Sequence, residues 1–417
     1  MKSRNLFIKI LCVFIFLPTL SGCWDKKEIE KKAYVVAIGL DKGENENLVI
    51  TYLIANPEFG TQQQGGSTNE PPHEIISFET NDLISSTNKA NAVIAKEISY
   101  NLLKYLIVSE KLAKTKNFIR WMYDATKDKD FKRDTYLIVS KENASIFITN
   151  NSPKLETRAH RYFDFIIKRG IETATISDAS LHKYLRITEA DADLFLAIFG
   201  TTEKVDPPSG DDMSDNIFAG QLKVNGNTNK TQFIGSALFK EGKMIDQLTV
   251  EETRITRLLS SVDEAPDILT TLPDPFNKDF KISITITQLK NIKIKMDVNK
   301  QPTTIHVHLP LQVDVLSDHS MVNYASNADK RNELKKFLIE RFNDKFNQFI
   351  KKTQEEYKSE PFGWSLHARR KFATIAEYEK FDWMKSYPGM DVQISIDIKF
   401  GHFGRQSRLP KLKDVRD

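Results

Sequence analysis

Cys23 is the residue whose surroundings define a reaction. It follows Leu20-Ser21-Gly22, and small residues just before a cut are what a signal-peptidase cleft accepts. A cysteine left at the head of the mature chain by such a cut is the acceptor for a thioether-linked diacylglycerol. Its freed α-amino group is then open to further acylation. The other cysteine, Cys12, falls within the segment removed. The folded body therefore holds no thiol, which excludes disulfides, thiolate catalysis, zinc–cysteine sites and iron–sulfur clusters.

Other chemistry-bearing groupings are weaker. His306 and His308 share one face of a strand and could offer two metal ligands, but no third ligand lies nearby in sequence, and alternation already makes them solvent-facing. The zinc signature His-Glu-x-x-His is absent, and Gly235-Ser236-Ala237 lacks the glycine spacing of a nucleophile elbow. Gly65-Gly66 follows glutamines rather than a strand, so no phosphate-cradling loop is expected. The adjacent Glu251 and Glu252 could do acid–base work, yet neighbours on a helix point about 100° apart. The pair suits a helix N-terminus, where negative charge is favourable. Catalytic residues, metal and cofactor are all expected to be absent, and the chain is read as not an enzyme.

The elements that would position Cys23 are those of an export signal. Lys2, Arg4 and Lys9 form a basic start, residues 10–17 form an apolar run, and Pro18 ends it. That run is too short to span a bilayer permanently, and Leu-Ser-Gly-Cys resembles the bacterial lipobox. Two acyl chains hold a protein firmly to a membrane where one does not. No other segment approaches eighteen apolar residues, so the rest of the chain, with mean hydropathy −0.41, reads as a water-soluble body on that anchor.

Composition bounds the body further. A chain of 417 residues is long for one core and suggests two or three domains. Of the formal net charge of +4, most belongs to Lys2, Arg4 and Lys9. The nearly neutral remainder offers no strong field to attract nucleic acid or anionic lipid.

Two polar stretches punctuate the body. Residues 56–73, with three glutamines, Gly65-Gly66 and Pro71-Pro72, read as a long exposed loop. Residues 201–216, with Pro207-Pro208-Ser209-Gly210, read as a linker. The expected organisation is a signal at 1–22, an N-terminal α/β domain at 23–200, the linker at 201–216, a C-terminal α+β region of two subdomains at 217–405, and a basic tail at 406–417.

Within the first half, apolar runs at 34–40 and 48–55 flank Asp41-Lys42-Gly43-Glu44, a hairpin signal. Helices are expected at 82–98, from an N-cap at Thr115 to Trp121, and from Arg158 to an end at Gly170. Short strands are expected at 105–108 and 136–139. In the second half period-two alternation is clear: Ile282, Ile284 and Ile286; Ile305 through Val315; Val392 through Phe400. Such alternation favours antiparallel pairing with one wet face. A helix at 327–357 places Leu334, Leu338, Phe342, Phe346, Phe349 and Ile350 on one stripe to cover the dry face. The fold class is α+β: a multi-domain mixed α/β body of antiparallel sheets covered by helices, including a long C-terminal helix.

These residues also carry a resemblance. Gly22-Cys23-Trp24-Asp25-Lys26-Lys27-Glu28-Ile29 with Val36-Ala37-Ile38-Gly39-Leu40-Asp41 is similar to the mature start of the Ger(x)C family, the lipoprotein C subunits of spore germinant receptors. The central stretch from Gly235 to Met244, with Leu248 through Glu251-Glu252-Thr253-Arg254, resembles that family's central motif. Pro361-Phe362-Gly363, Trp383 and the strand from Val392 to Phe400 resemble its C-terminal end, although Trp364-Ser365 stands where a second aromatic–glycine step is usual. The resemblance implies a three-domain receptor component held by Cys23 on the outer face of the cell membrane or inner spore membrane. It implies partners too, a membrane-spanning A subunit and a transporter-like B subunit. The alternative is a solute-binding lipoprotein of an importer, which should show βαβ patterning in two lobes.

Overall fold

The computed structural model describes residues 31–56, 71–190, 192–206 and 215–404. Cys23 and the signal, most of the 56–73 loop, the centre of the 201–216 stretch and the 406–417 tail lie outside the described residues. The fold is α+β, with two sheets and two apolar cores.

The first sheet has nine strands: β1 (Lys32–Lys42), β2 (Leu48–Ala55), β3 (His73–Thr80), β4 (Glu97–Ser99), β5 (Tyr105–Ser109), β6 (Tyr136–Ser140), β7 (Phe195–Thr201), β8 (Gln232–Lys240) and β9 (Lys243–Leu248). Their order is β3-β2-β1-β5-β6-β7-β8-β9, with β4 beside the start of β1. The centre, β1-β5-β6-β7, is parallel, and the flanking pairs are antiparallel. Every residue of β5 and of β7 is buried, as strands covered on both faces require. The parallel centre adds to the antiparallel sheets expected of this mixed α/β body. The runs at β5 and β6, buried throughout apart from Tyr136, lack alternation because helices cover both faces.

Helices α1 (Leu83–Asn91), α2 (Glu110–Ala113), α3 (Phe118–Ala125), α4 (Ala144–Asn150), α5 (Ala159–Glu172) and α6 (Leu181–Ala190) make the crossovers. Asp82 caps α1 through the Ser85 N–H at 2.7 Å, but the helix stops at Asn91, well short of residue 98. Thr115 is not an N-cap; its hydroxyl donates to the Leu112 carbonyl, and α3 begins after Asn117. Gly170 does not end α5, which runs on to Glu172; the space a Cβ would fill at Gly170 is occupied by Ile176.

The second sheet holds β10 (Ile268–Pro273), β11 (Lys281–Gln288), β12 (Lys293–Asp297), β13 (Thr304–Asp318) and β14 (Asp391–Phe403). The central β13 pairs antiparallel with β11 and β12, and parallel with β14. The parallel pair corrects the sequence expectation for β14. Alternation reports one wet face whatever the strand direction, and α8 (Ala328–Lys352) carries the chain back to the end where β13 began. Asn327 caps α8 by accepting from Lys330 N–H at 3.0 Å. Its buried residues are the six of the expected stripe.

The first sheet does not end at the polar stretch 201–216. β8 and β9 lie beyond it in sequence and hydrogen-bond onto β7 and each other. Alternation along these strands serves two cores at once. Phe195, Ala197, Phe199, Ala237 and Phe239 face the first core, whereas Leu194, Leu196, Leu238 and Leu248 belong to the second.

Candidate functional site

The motif residues of the central stretch converge on the seam where the two cores meet. Gly235 has a φ of +77°, and a Cβ there would lie 2.3 Å from the Leu248 carbonyl oxygen. Only glycine allows β8 and β9 to approach this closely. The Ser236 hydroxyl is hydrogen-bonded to those of Ser177 (2.7 Å) and Thr253 (3.0 Å), so it is a buried strut.

Helix α7 (Val250–Leu259) follows β9. Its capping box joins Thr249 and Glu252, the Glu252 N–H donating to Thr249 Oγ1 and the Thr249 N–H to Glu252 Oε2. The same acidic pair then reaches across to α8: Lys345 donates to Glu251 Oε2 at 3.0 Å, and Lys352 to Glu252 Oε1 at 2.8 Å. Glu251 and Glu252 are therefore helix-start residues with ion-pair partners. Arg254 pairs with Asp215 at 2.5 Å and donates to the Thr173 carbonyl at 3.3 Å.

Beyond α8 a wider π turn, Thr353–Tyr357, continues the seam. The Tyr357 hydroxyl donates to Asp246 Oδ2 at 2.5 Å, and Lys240 Nζ donates to the Tyr357 carbonyl at 3.0 Å. Burial, followed by the Asp246 carboxylate, raises the Tyr357 pKa far above that of a free phenol and keeps it a donor.

The Pro361-Phe362-Gly363 stretch is a turn built around Glu360. Oε2 of this carboxyl accepts from the Phe362 and Gly363 N–H groups at 2.5 and 2.9 Å, and Oε1 from Ser365 N–H at 3.0 Å. The turn docks on the first sheet through a parallel bridge between Glu360 and Asp193, with Leu194 N–H donating to the Glu360 carbonyl at 2.9 Å. Ser359 Oγ donates to the Ala192 carbonyl at 3.0 Å. On the far side, Trp364 Nε1 donates to the Leu259 carbonyl at 3.0 Å.

Near the start of the chain, Gly39 leaves no room for a Cβ, which would meet Ile148 Cδ1 at 2.8 Å. Buried Asp41 accepts from the Ala144 and Ser145 N–H groups at 2.7 and 3.0 Å, holding the start of α4. His306 and His308 lie opposite Lys295 and Lys293 on β12, and His308 Nδ1 contacts Ser395 Oγ at 3.1 Å. Among the described residues, no group of three or more His, Cys, Asp or Glu side chains is placed to hold a metal. No helix among them is long and apolar enough to cross a membrane.

Sequence reasoning missed Asp193, Asp215 and Glu360. Their partners lie far away along the chain, and the one local signal is an acidic residue set against an apolar run or a Pro-Phe-Gly turn.

A mixed sheet and a largely antiparallel sheet, joined through one buried seam, define a two-core α+β protein whose motif residues hold the cores together. The comparisons give the family. Residues 25–201 match the model described as spore germination protein N-terminal domain, and residues 234–404 match spore germination B3/GerAC-like, C-terminal. The chain belongs to the Ger(x)C family and is a spore germination protein of the germinant-receptor type. It is 20% identical to spore germination protein B3 of Bacillus subtilis (strain 168) over 95% of this chain and 98% of that one. To spore germination protein KC of the same organism it is 28% identical, over 34% of this chain and 37% of the other. The crystal structure of the GerBC protein matches with a TM-score of 0.51 at 16% identity, covering 87% of this chain and 96% of that one, a likeness of fold.

Proposed function

We propose that this chain is the lipid-anchored subunit of a nutrient germinant receptor, required for spore germination through contacts with A and B subunits. Cys23, carrying diacylglycerol, tethers it to the outer face of the cell membrane and, in the spore, to the inner spore membrane. The body acts by contact and conformation, with no turnover of its own. The observation that carries this reading is the pair of family matches, which run in order along the chain from residue 25, two positions after Cys23. The seam supports it, because Lys352 and Tyr357, at the end of α8 and in the turn after it, both reach Asp246 on β9 of the first sheet, so the second core is tied to the first and a displacement can pass between them.

Spores carrying Cys23→Ala test the proposal, scored nutrient by nutrient, with the lipid state read by mass spectrometry. Loss of response to one nutrient class, with unlipidated protein released from the membrane, is the expected outcome. Intact germination after deletion of the whole gene, in a strain with no other receptor, would overturn it.

A further inference from the structure

The end of the first sheet that receives the chain from Cys23 carries an apolar loop that internal packing uses only through Ile94. Ala92, Val93 and Ala95 are exposed, and Val93 keeps 76% of its surface accessible. Ile94 is half-buried against the first core, which fixes the loop to a rigid base. The four residues are uncharged and consecutive, with Lys96 directly after them. They lead into β4, whose Glu97 lies beside Lys32 at the start of β1. A recess of about 640 Å³ opens there, with Lys32, Ile54, Pro71, Glu74, Val93 and Lys96 among its lining residues.

We propose that this loop is where the protein body touches the bilayer. Val93 enters the headgroup region, and the Lys32 ammonium group stays level with the lipid phosphates. The inference rests on the lipid-anchor reading of Cys23 and adds the orientation of the body to it.

Chain length argues for lipid as the occupant. Only eight residues separate Cys23 from Lys32. At no more than about 3.3–3.6 Å per residue, Lys32 stays within roughly 30 Å of the lipid-bearing residue. The Glu44 hairpin closes the other end of β1, about 33 Å away at the rise of a strand. A tether that short raises the effective concentration of the near end at the membrane to the millimolar range, so a weak contact becomes populated. One short apolar loop with a lysine beside it is such a contact: too small to hold a free protein on a membrane, sufficient to orient a tethered one.

The mature chain has no thiol beyond Cys23, so Val93→Cys creates a single labelling site. The lipidated protein, labelled there with an environment-sensitive fluorophore, is reconstituted into phosphatidylcholine vesicles with and without phosphatidylglycerol. Both sets contain a nitroxide-headgroup lipid. Ala95→Cys serves as a second position and Glu44→Cys as the distant control. The expected result is a blue shift and several-fold stronger quenching at 93 and 95 than at 44. Equal quenching at all three positions, with the protein still floating with the vesicles, would overturn the orientation while leaving the anchor intact. Protein that fails to float and carries an unmodified Cys23 would overturn the anchor reading and this inference with it.

Discussion

Asp193, just before β7, and Glu360, in the turn before Phe362, meet carboxyl to carboxyl across the seam at 8% and 0% exposure. Burial comes first among the causes that raise both above the ordinary carboxylate range, and for Glu360 the facing Asp193 comes second. Asp193 Oδ1 finds no N–H or O–H donor among the described residues, and the facing carboxyl becomes one when it is protonated. Both carboxyls are thus pushed toward the neutral form, and their contact lets a proton on one be shared with the other.

This pairing sets the pH dependence of the seam. With folded-state values raised above unfolded ones, the stabilisation is fully present below the unfolded carboxylate range. It is lost as pH rises through the raised range, by about 1.4 kcal/mol per pH unit for one proton. Arg186, which favours the charged Asp193, moderates the loss; Tyr378 and Tyr387, whose own pKa values lie above a free phenol's, stay neutral beside the pair. Urea denaturation from pH 5 to 9 should give a falling midpoint in the wild type and a flatter one in Asp193→Asn. A parallel pair of curves would contradict the shared proton.

Trp364 is a second fixed point of the seam. It is fully buried, it packs against Phe362 with ring centroids 4.5 Å apart and the planes tilted by 35°, and its indole N–H is satisfied by Leu259. Trp364→Ala should cost about 3–5 kcal/mol, through lost burial and a residual cavity. Trp364→Phe keeps the ring contact but orphans the Leu259 carbonyl, and should cost about 1–3 kcal/mol. Equilibrium denaturation of both variants separates the two contributions.

Gly235 and Gly226 make a matched comparison of backbone and contact. Both have positive φ, +77° and +97°, but a Cβ at Gly226 meets nothing within 4 Å. Gly226→Ala should cost about 1–2 kcal/mol from the left-handed backbone alone. Gly235→Ala adds a clash with the Leu248 carbonyl and should cost a further 1–3 kcal/mol. Thermal unfolding of the two variants measures the difference, and similar melting points would mean that β9 can move away.

Much of the second sheet was legible because its strands have one dry and one wet face. Ile282, Ile284 and Ile286 are buried as their spacing predicts, and the six apolar residues of α8 cover them. Strand direction was not legible, because a parallel β14 and an antiparallel one would show the same alternation. The first sheet was harder to read, since strands covered on both faces lose their period. The polar stretch at 201–216 also concealed that β8 and β9 return to β7. For the seam, Glu251 and Glu252 showed as a helix start, because capping is a local interaction. Their lysine partners are about a hundred residues away and leave no mark in a local window. The Asp193–Glu360 pair was invisible for the same reason.

The ion pairs between α7 and α8 differ from surface pairs in what they join. Lys352 reaches both Glu252 (2.8 Å) and Asp246 (3.8 Å), and its side chain is only 28% exposed. One flexible side chain thus ties the start of α7 and the end of β9 to the last turn of α8. Glu252 also keeps its cap on the Thr249 N–H, so Glu252→Gln, which preserves an acceptor oxygen, is the variant that isolates the charge. A double-mutant cycle of Glu252→Gln and Lys352→Met should give a coupling energy of about 0.5–1 kcal/mol, given the partial exposure. That coupling should shrink when the cycle is repeated at 1 M salt, where the screening length is about 3 Å. A coupling near zero at low salt would mean that apolar packing holds α7 against α8 without help from the charges.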